Sequence, residues 1–513
     1  MGFRTGALSR ILGVVVVLAA AFAALQSDAA SSRVRSSVAV ADPTVTVGGP
    51  MPVQPVASTF LGFSFEYWAL QAYAGTNPDA IDPVFERLLD NLTEGAPTVI
   101  RIGGTTTDHT WWAVKGLPRS PGANYTITRQ RLEVAAALAR ATHARLIMGV
   151  NLEANSSIEA SAESRAIMTV IGRRLTEGIE LGNEPELYNN PQFPFYVLDG
   201  NAHPGRPASW DFRSYLSNYH HIAAALGHVP LAGPAMGAWT WLPYLDQFLK
   251  AEHPAVVTLH RYPLQACASN QGQSNYPSIA NLLSPLSSDG LADALQPAVA
   301  LVHAHGELLR NAEMNSVSCG RVPGTATTFA GALWVLDTLF AMASVGLDGV
   351  NIHTYPGAAD QLFSVKQVNG QWQAYVAPEY YGVMMFSQAA PPGSQLLKVS
   401  GVSDTGTVRA WATLTPRGQT KVVLINDALN HPQTLTVSLP WTVTAPIVER
   451  LEAPGIRSTT GVTIGGQTFG SQTTSGRLLG RFEGASRGHQ LAPAASRYSI
   501  RLPASSAAML TFG

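Results

Sequence analysis

The chain carries little charge, little cysteine and almost no lysine. Only 13% of its 513 residues are charged, about half the usual quarter. Its 33 basic residues nearly cancel its 34 acidic ones, and just five of the basic residues are lysines. A nucleic-acid binder needs a concentrated positive field to displace counterions from phosphates, so that class is excluded. With 46% hydrophobic residues the chain can bury a core, which excludes disorder for most of its length. The two cysteines, Cys267 and Cys319, lack the spacing and histidine company of a zinc site. Neither a dinucleotide fingerprint nor a phosphate loop is present. No metal and no organic cofactor are therefore expected.

Long apolar runs are scarce too. One extends from Ile11 to Leu25, preceded by Arg4 and Arg10 and followed by the small residues Ala29 and Ala30. This is the order of a secretory signal, expected over residues 1–30. The run falls short of the roughly 20 residues needed to span a bilayer, and no later run reaches that length. The expectation is an exported protein, secreted or periplasmic, free of the membrane once cleaved. Export permits a disulfide. Cys267 and Cys319 both stand just beyond expected strand ends, so they are expected to pair.

What the sequence does have is alternation. Between residues 58 and 388, β-branched runs at Thr59–Glu66, Thr98–Gly103, Arg145–Asn151, Gly178–Asn183, Val229–Gly233, Val256–His260, Leu309–Glu313 and Gly349–His353 are separated by segments of helical periodicity. Helices are expected at Asp82–Leu92, Arg131–Thr142, Ile158–Arg174, Phe212–Leu226 and Ala330–Ser344. Eight strand–helix units imply an α/β fold, a parallel (β/α)8 TIM barrel with long βα loops. Residues 389–513 change character. Strand-like runs such as Val408–Leu414, Thr420–Asn426 and Ile447–Glu452 lie between Gly, Pro, Ser and Thr clusters, which predicts a C-terminal antiparallel β-sandwich domain. In the N-terminal segment 31–57, Thr44–Val47 is expected to add a strand to that sandwich.

A barrel of this kind does its chemistry at the C-terminal ends of its strands. The eight ends here read Phe65-Glu66-Tyr67-Trp68, Arg101-Ile102-Gly103-Gly104, Asn151-Leu152-Glu153, Asn183-Glu184-Pro185, Gly233-Pro234, His260-Arg261-Tyr262, Glu313-Met314-Asn315 and His353-Thr354-Tyr355. Carboxylates, imidazoles, amides and aromatics crowd that rim, as a ring-shaped polyhydroxylated ligand would require. Glu184 and Glu313 stand on the fourth and seventh strands. Two facing carboxyl groups, one protonated and one ionised, are the machinery of a glycosidase. Asn183, beside the first, could hydrogen-bond a sugar 2-hydroxyl.

Asn183-Glu184-Pro185 with a strand-seven Glu313 resembles glycoside hydrolase clan A, the retaining (β/α)8 enzymes. The resemblance is closer still to glycoside hydrolase family 79, the family of bacterial β-glucuronidases and heparanases. Arg101-Ile102-Gly103-Gly104-Thr105-Thr106-Thr107-Asp108 and Glu313-Met314-Asn315-Ser316-Val317-Ser318-Cys319-Gly320 look like two of its motifs. The likeness spans the barrel and the C-terminal domain. It implies that Glu184 is the acid/base, Glu313 the nucleophile, Asp108 a binder of sugar hydroxyls, and Gly320 a backbone N–H donor to a uronate carboxylate. One position departs: Ser318 stands where relatives carry a tyrosine beside that carboxylate, and Tyr355 is the residue that could compensate.

Other rim residues have two readings each. Tyr262 either hydrogen-bonds Glu313 or packs on Pro263. Glu66 either binds a hydroxyl or pairs with Arg101, which would then be structural. His260 is a site residue or a satisfied barrel histidine. His109 reads as structural, Trp111 and Trp112 as sugar platforms or gap fillers, and Arg321 as an attractor of a carboxylate or a solvated loop residue. The function expected is an exported retaining exo-β-glucuronidase acting on a carbohydrate that contains glucuronic acid. Its rivals are an endo-acting heparanase- or hyaluronidase-like enzyme, a related β-glycosidase of other specificity, and a carbohydrate-binding protein without turnover.

Overall fold

The computed structural model describes residues 43–513, apart from 321, 402–406, 444 and 485–494. The expected signal segment and Arg321 lie outside the described residues. Eight parallel strands close into a barrel: β1 (Leu61–Glu66), β2 (Thr98–Gly103), β3 (Ala144–Val150), β4 (Thr176–Leu181), β5 (Leu231–Met236), β6 (Val256–Arg261), β7 (Leu309–Met314) and β8 (Gly349–His353). Each pairs with the next in chain order, and β8 closes on β1.

The helices that cover the barrel begin where short polar side chains satisfy free N–H groups. Asp82 accepts from the Val84 N–H at 2.8 Å and Asp211 from the Ser214 N–H at 2.8 Å. Thr128 and Ser156 cap Arg129–Ala141 and Ser157–Val170 in the same way. The helix Phe329–Ser344 is apolar all round and almost wholly buried, because it has a neighbour on every side. One of those neighbours is the C-terminal region: Trp411 stacks on Phe340 with ring centroids 5.6 Å apart and donates to Asp337 at 2.7 Å.

The strand expected at Val229–Gly233 instead runs Leu231–Met236. Pro234 reads as a strand terminator because it lacks an N–H, yet here it lies within β5, where the register shifts between Pro234 and Met236. The true rim after β5 is therefore Gly237-Ala238-Trp239, a segment that reading passed over.

Outside the barrel, eight strands that follow it and Thr44–Pro50, which precedes it, form one continuous nine-stranded sheet. Its order is Thr463–Ile464, Ile447–Glu452, Ser506–Phe512, Thr420–Asn426, Val408–Leu414, Gln395–Ser400, Thr44–Pro50, Gln433–Val443, Ala495–Leu502. Every pairing is antiparallel except that of Thr44–Pro50 with Gln433–Val443. Alternate residues divide the faces, as the pleat requires. Val423, Ile425, Ala507 and Met509 join the core shared with the barrel. Val422, Leu424, Ala508 and Leu510 share a second core with Val45, Val437 and Ile500 from the far half of the same sheet. The two layers expected of a sandwich are thus one sheet bent over on itself.

Candidate active site

The site is built around a guanidinium inside the barrel. On β2, Ile100 and Ile102 point to the surrounding helices, so Val99 and Arg101 point inward. Val99 meets Ile147, Ala232 and Val256 in an apolar layer. One layer higher, Arg101 is wholly buried and donates to Glu180 at 2.5 Å, Glu313 at 2.6 Å, Asn183 at 2.8 Å and Ser64 at 3.2 Å. These partners come from β4, β7, the loop after β4, and β1, so one side chain gathers four parts of the rim. Arg101 does not pair with Glu66, contrary to one expectation. Glu66 instead accepts the N–H groups of Thr105 (3.1 Å) and Thr106 (2.9 Å) and the Thr106 hydroxyl, organising the turn after β2.

Glu313 lies at the end of β7. Its Oε2 receives Arg101, and its Oε1 receives the Tyr262 hydroxyl at 2.8 Å. His353 Nδ1 lies 3.8 Å away and His260 Nδ1 3.9 Å away. Burial alone would push this carboxyl up; the His353 ring, the Arg101 charge and the Tyr262 donor together outweigh it and hold it below the usual carboxylate range. Burial and Arg101 in turn push His260 down to about 3, so its ring is neutral at ordinary pH. The Arg101 guanidinium, 2.6 Å away, keeps a permanent positive charge beside Glu313.

Glu184 follows β4 in a left-handed backbone conformation, φ 47°. Its N–H is tied to the Ala235 carbonyl at 2.9 Å, and its Oε1 lies 3.3 Å from His260 Nδ1. Burial, then the Glu313 charge, push its carboxyl up to about 7. An oxygen of Glu184, an oxygen of Glu313 and a His260 nitrogen all lie within 4.8 Å of one another. Three such atoms could in principle hold a cation, but Glu313 already faces the Arg101 guanidinium, whose charge opposes a metal ion. The arrangement suits proton and glycosyl transfer: one acid that keeps its proton near neutrality, beside one carboxylate that does not.

Asp108 is buried in the turn after β2. Its Oδ1 accepts the N–H groups of Leu152 (3.0 Å) and Glu153 (3.1 Å). Its Oδ2 accepts the Asn183 N–H and the Tyr188 hydroxyl, both at 2.8 Å. A carboxylate has about four lone-pair sites, and all four are taken. Asp108 therefore locks the loops after β2, β3 and β4 together, where direct sugar contact was expected.

On the Glu313 side, the loops after β6 and β7 are tied to each other. Leu264–Gln265 pairs with Val317–Ser318, the Ala266 N–H bonds the Ser318 carbonyl at 2.9 Å, and a disulfide joins Cys267 to Cys319 with Cα atoms 5.6 Å apart. Gly320 follows immediately, at φ 126°, where a side chain would be strained. Tyr355 packs edge-on against Trp68 and His353. His109, also in the cavity wall, bonds the Gly122 carbonyl and stacks on Phe195; Trp111 is buried.

A cavity of about 790 Å³ opens above these groups and includes Glu184, Glu313, His260, Tyr262, Ser318, Gly320, Tyr355, Asn183, Asp108 and Glu66 in its walls. Several further wall residues are absent from the expected site, among them Glu186, Arg261, Trp239 and Glu153. Glu186 accepts the Gly237 and Ala238 N–H groups, each at 2.5 Å. Arg261, buried, donates to the Met236 (3.2 Å) and Gly237 (2.9 Å) carbonyls, with its guanidinium carbon 4.0 Å from the Trp239 ring centre. Glu153 is pushed up to about 9 by burial and by Asp108. Outside the cavity wall, the inward position of Glu180 had a signal: β4 reads Ile179-Glu180-Leu181, and a charge between outward apolar residues needs an inward partner.

Comparison with known proteins agrees with this geometry. Residues 410–509 match the glycosyl hydrolase family 79 C-terminal beta domain. A β-glucuronidase of Aspergillus niger is 25% identical over 574 aligned positions, covering 98% of this chain and 98% of its own. One from Neurospora crassa is 23% identical, covering 84% and 88%. Among solved structures, a 4-O-α-L-rhamnosyl-β-D-glucuronidase from Fusarium oxysporum 12S matches with TM-score 0.68 at 19% identity, over 91% of this chain and all of its own. A GH51 arabinofuranosidase from Xanthomonas axonopodis pv. citri matches with TM-score 0.60 at 12% identity, over 92% and 100%.

Proposed function

We propose, from its likeness to glycoside hydrolase family 79, that the chain is a member of that family and a retaining exo-β-glucuronidase. It removes terminal β-linked glucuronic acid, or the methylated sugar, from glycans or glycosides. The observation that carries the reading is the Glu184–Glu313 pair, with oxygens within 4.8 Å and proton affinities driven in opposite directions. Retaining glycosidases hold their carboxyl groups about 5–5.5 Å apart, whereas inverting ones leave room for a water. The two fungal relatives, both β-glucuronidases, suggest the sugar.

The steps follow from the groups. Ionised Glu313 attacks the anomeric carbon while protonated Glu184 gives its proton to the glycosidic oxygen, and the C–O bond to the leaving group breaks. Glu184, now ionised, takes a proton from water. That water's oxygen attacks the anomeric carbon, frees Glu313 and releases the sugar with its original configuration. Arg101 and Tyr262 keep Glu313 ionised and oriented before attack. With Oδ1 occupied by Arg101, Asn183 has its amide nitrogen left to donate to the sugar 2-hydroxyl. The Gly320 N–H, with Tyr355, takes the uronate carboxylate in place of the missing tyrosine at Ser318.

Export belongs to the same proposal. It is supported by the N-terminal pattern of residues 1–30 and by the Cys267–Cys319 disulfide, which suits an oxidising compartment. No helix among the described residues is long and apolar enough to cross a membrane. The test is release of nitrophenol from nitrophenyl β-glucuronide, β-glucoside and β-xyloside. The glucuronide should be strongly preferred; preference for a neutral glycoside would overturn the specificity.

A further inference from the structure

Large apolar side chains that stand exposed are scattered over the surface, but two of them, Phe193 and Trp239, each 43% exposed, line the catalytic cavity. Both are on the same side of it. Phe193 is in the loop after β4, the strand that carries Glu184, and Trp239 is in the loop after the neighbouring β5. Gly237, two residues before Trp239, lies so near that a Cβ there would stand 2.5 Å from Glu184 Oε1. The uronate-side groups Ser318 and Gly320 belong instead to the loop after β7.

Trp239 is also held in place. Its ring lies over the buried Arg261 guanidinium, which anchors the backbone below it through the Met236 and Gly237 carbonyls. Glu186 fixes the same turn from the other side through the Gly237 and Ala238 N–H groups. An exposed aromatic face braced in this way loses little freedom on binding, which is what a stacking platform needs. A rigid indole presents a flat apolar surface that suits the C–H face of a sugar or an aromatic ring.

In a retaining glycosidase the acid/base protonates the departing oxygen, so the leaving group must sit on the Glu184 side. We propose that Trp239 and Phe193 form the leaving-group subsite, recognising a ring-shaped leaving group by stacking. This rests on the glucuronidase reading and adds to it the class of group attached to the uronate: a ring, glycosyl or aryl, rather than a simple alkyl chain.

The experiment compares kcat/KM for methyl β-glucuronide, 4-nitrophenyl β-glucuronide and a glucuronosyl disaccharide in the full-length enzyme and in Trp239→Ala, Phe193→Ala, Trp239→Tyr and Trp441→Ala. Trp441 is an equally exposed tryptophan in the C-terminal sheet and serves as the control. Trp239→Ala and Phe193→Ala should each lower the ratio of ring-substrate to methyl-substrate efficiency by about five- to tenfold, the size of a lost aromatic contact. Trp239→Tyr should recover part of it, and Trp441→Ala should leave the ratio unchanged. A larger loss on the disaccharide than on the nitrophenyl substrate identifies a glycosyl partner, and the reverse an aryl one. Equal losses on methyl and ring substrates, or none on either, would overturn the subsite. An unmutated enzyme inactive on all three glucuronides would instead overturn the glucuronidase reading.

Discussion

Arg101 and Glu180 meet at 2.5 Å with both side chains fully buried, and the same guanidinium reaches Glu313 at 2.6 Å. Glu313, the proposed nucleophile, thus shares its cation with a second carboxylate. Under the proposed mechanism Glu180 still balances Arg101 inside the barrel when Glu313 enters a covalent bond, so the positive charge is not left alone. Removing one member of a buried pair costs about 3–5 kcal/mol because the other stays behind uncompensated. Arg101→Met is therefore expected to lose about that much stability in urea unfolding. The double change Arg101→Met with Glu180→Leu should regain most of it. It should not regain activity, since Glu313 would still lack its cation. A fully active double variant would separate Arg101 from the nucleophile.

The opposite proton affinities of the two glutamates fix the shape of the pH profile. Glu184 must be protonated for the first step, and it is held up at about 7. Efficiency is expected to be level below that point and to fall about tenfold per pH unit above it. Glu313 is held below the usual carboxylate range, so it stays ionised and contributes no acid limb at mildly acidic pH. In Glu184→Gln, a dinitrophenyl glucuronide, whose leaving group needs no proton, should be cleaved with no alkaline limb near 7. A limb that persists there would assign it to another group.

Azide distinguishes the two roles by stereochemistry. In Glu184→Ala the glycosyl-enzyme forms from an activated substrate but water attacks it slowly; azide needs no base, and the β-glucuronosyl azide should accumulate. In Glu313→Ala, azide can take the vacated nucleophile position and should give the α-azide. Each change is expected to cost about 10²–10⁴-fold in kcat without azide, the range of a missing acid/base or more. NMR of the products decides, and exchanged anomers would exchange the assignments.

The barrel was legible because eight β-branched runs alternate with amphipathic segments at regular intervals, and Glu184 and Glu313 were legible because they sit three units apart at strand ends. The charge network beneath them was not. Whether Arg101 meets Glu66 or Glu180 depends on which residues share a layer inside the closed barrel, and that follows from strand tilt and stagger rather than from any local pattern. Asp108 illustrates a second limit. Its position in a motif is plain, but its four backbone and hydroxyl partners come from two other loops, those after β3 and β4. Trp239 was missed for a local reason: Pro234 ended the expected strand three residues early.

Gly237 offers a test confined to the acid/base. Alanine there would place a Cβ 2.5 Å from Glu184 Oε1, and the movable atom is the end of the glutamate side chain. Gly237→Ala is expected to fold normally while displacing the carboxyl. A misplacement of about 1 Å costs about 10²-fold in rate. The loss should appear in kcat and should be much smaller with a dinitrophenyl leaving group. Equal losses on both substrates would mean that the cavity, not the acid, had been disturbed.

The disulfide carries the last prediction. Cys319 immediately precedes Gly320, and its bridge to Cys267 closes 52 residues of chain. A loop of that length corresponds to about 4 kcal/mol in the chain-entropy account, so Cys267→Ala with Cys319→Ala should lower thermal stability. Its second effect is chemical. Backbone N–H groups recognise a carboxylate only while their orientation is fixed, and the bridge is the covalent tie between the loops after β6 and β7. Without it the Gly320 N–H is free to turn, while Glu184, Glu313 and Arg101 remain on strand ends that the bridge does not touch. KM for glucuronides should therefore rise several-fold at nearly unchanged kcat, and the preference over the corresponding glucoside should shrink by the same factor. Equal losses on glucuronide and glucoside would place the bridge in stability alone and move carboxylate recognition away from Gly320.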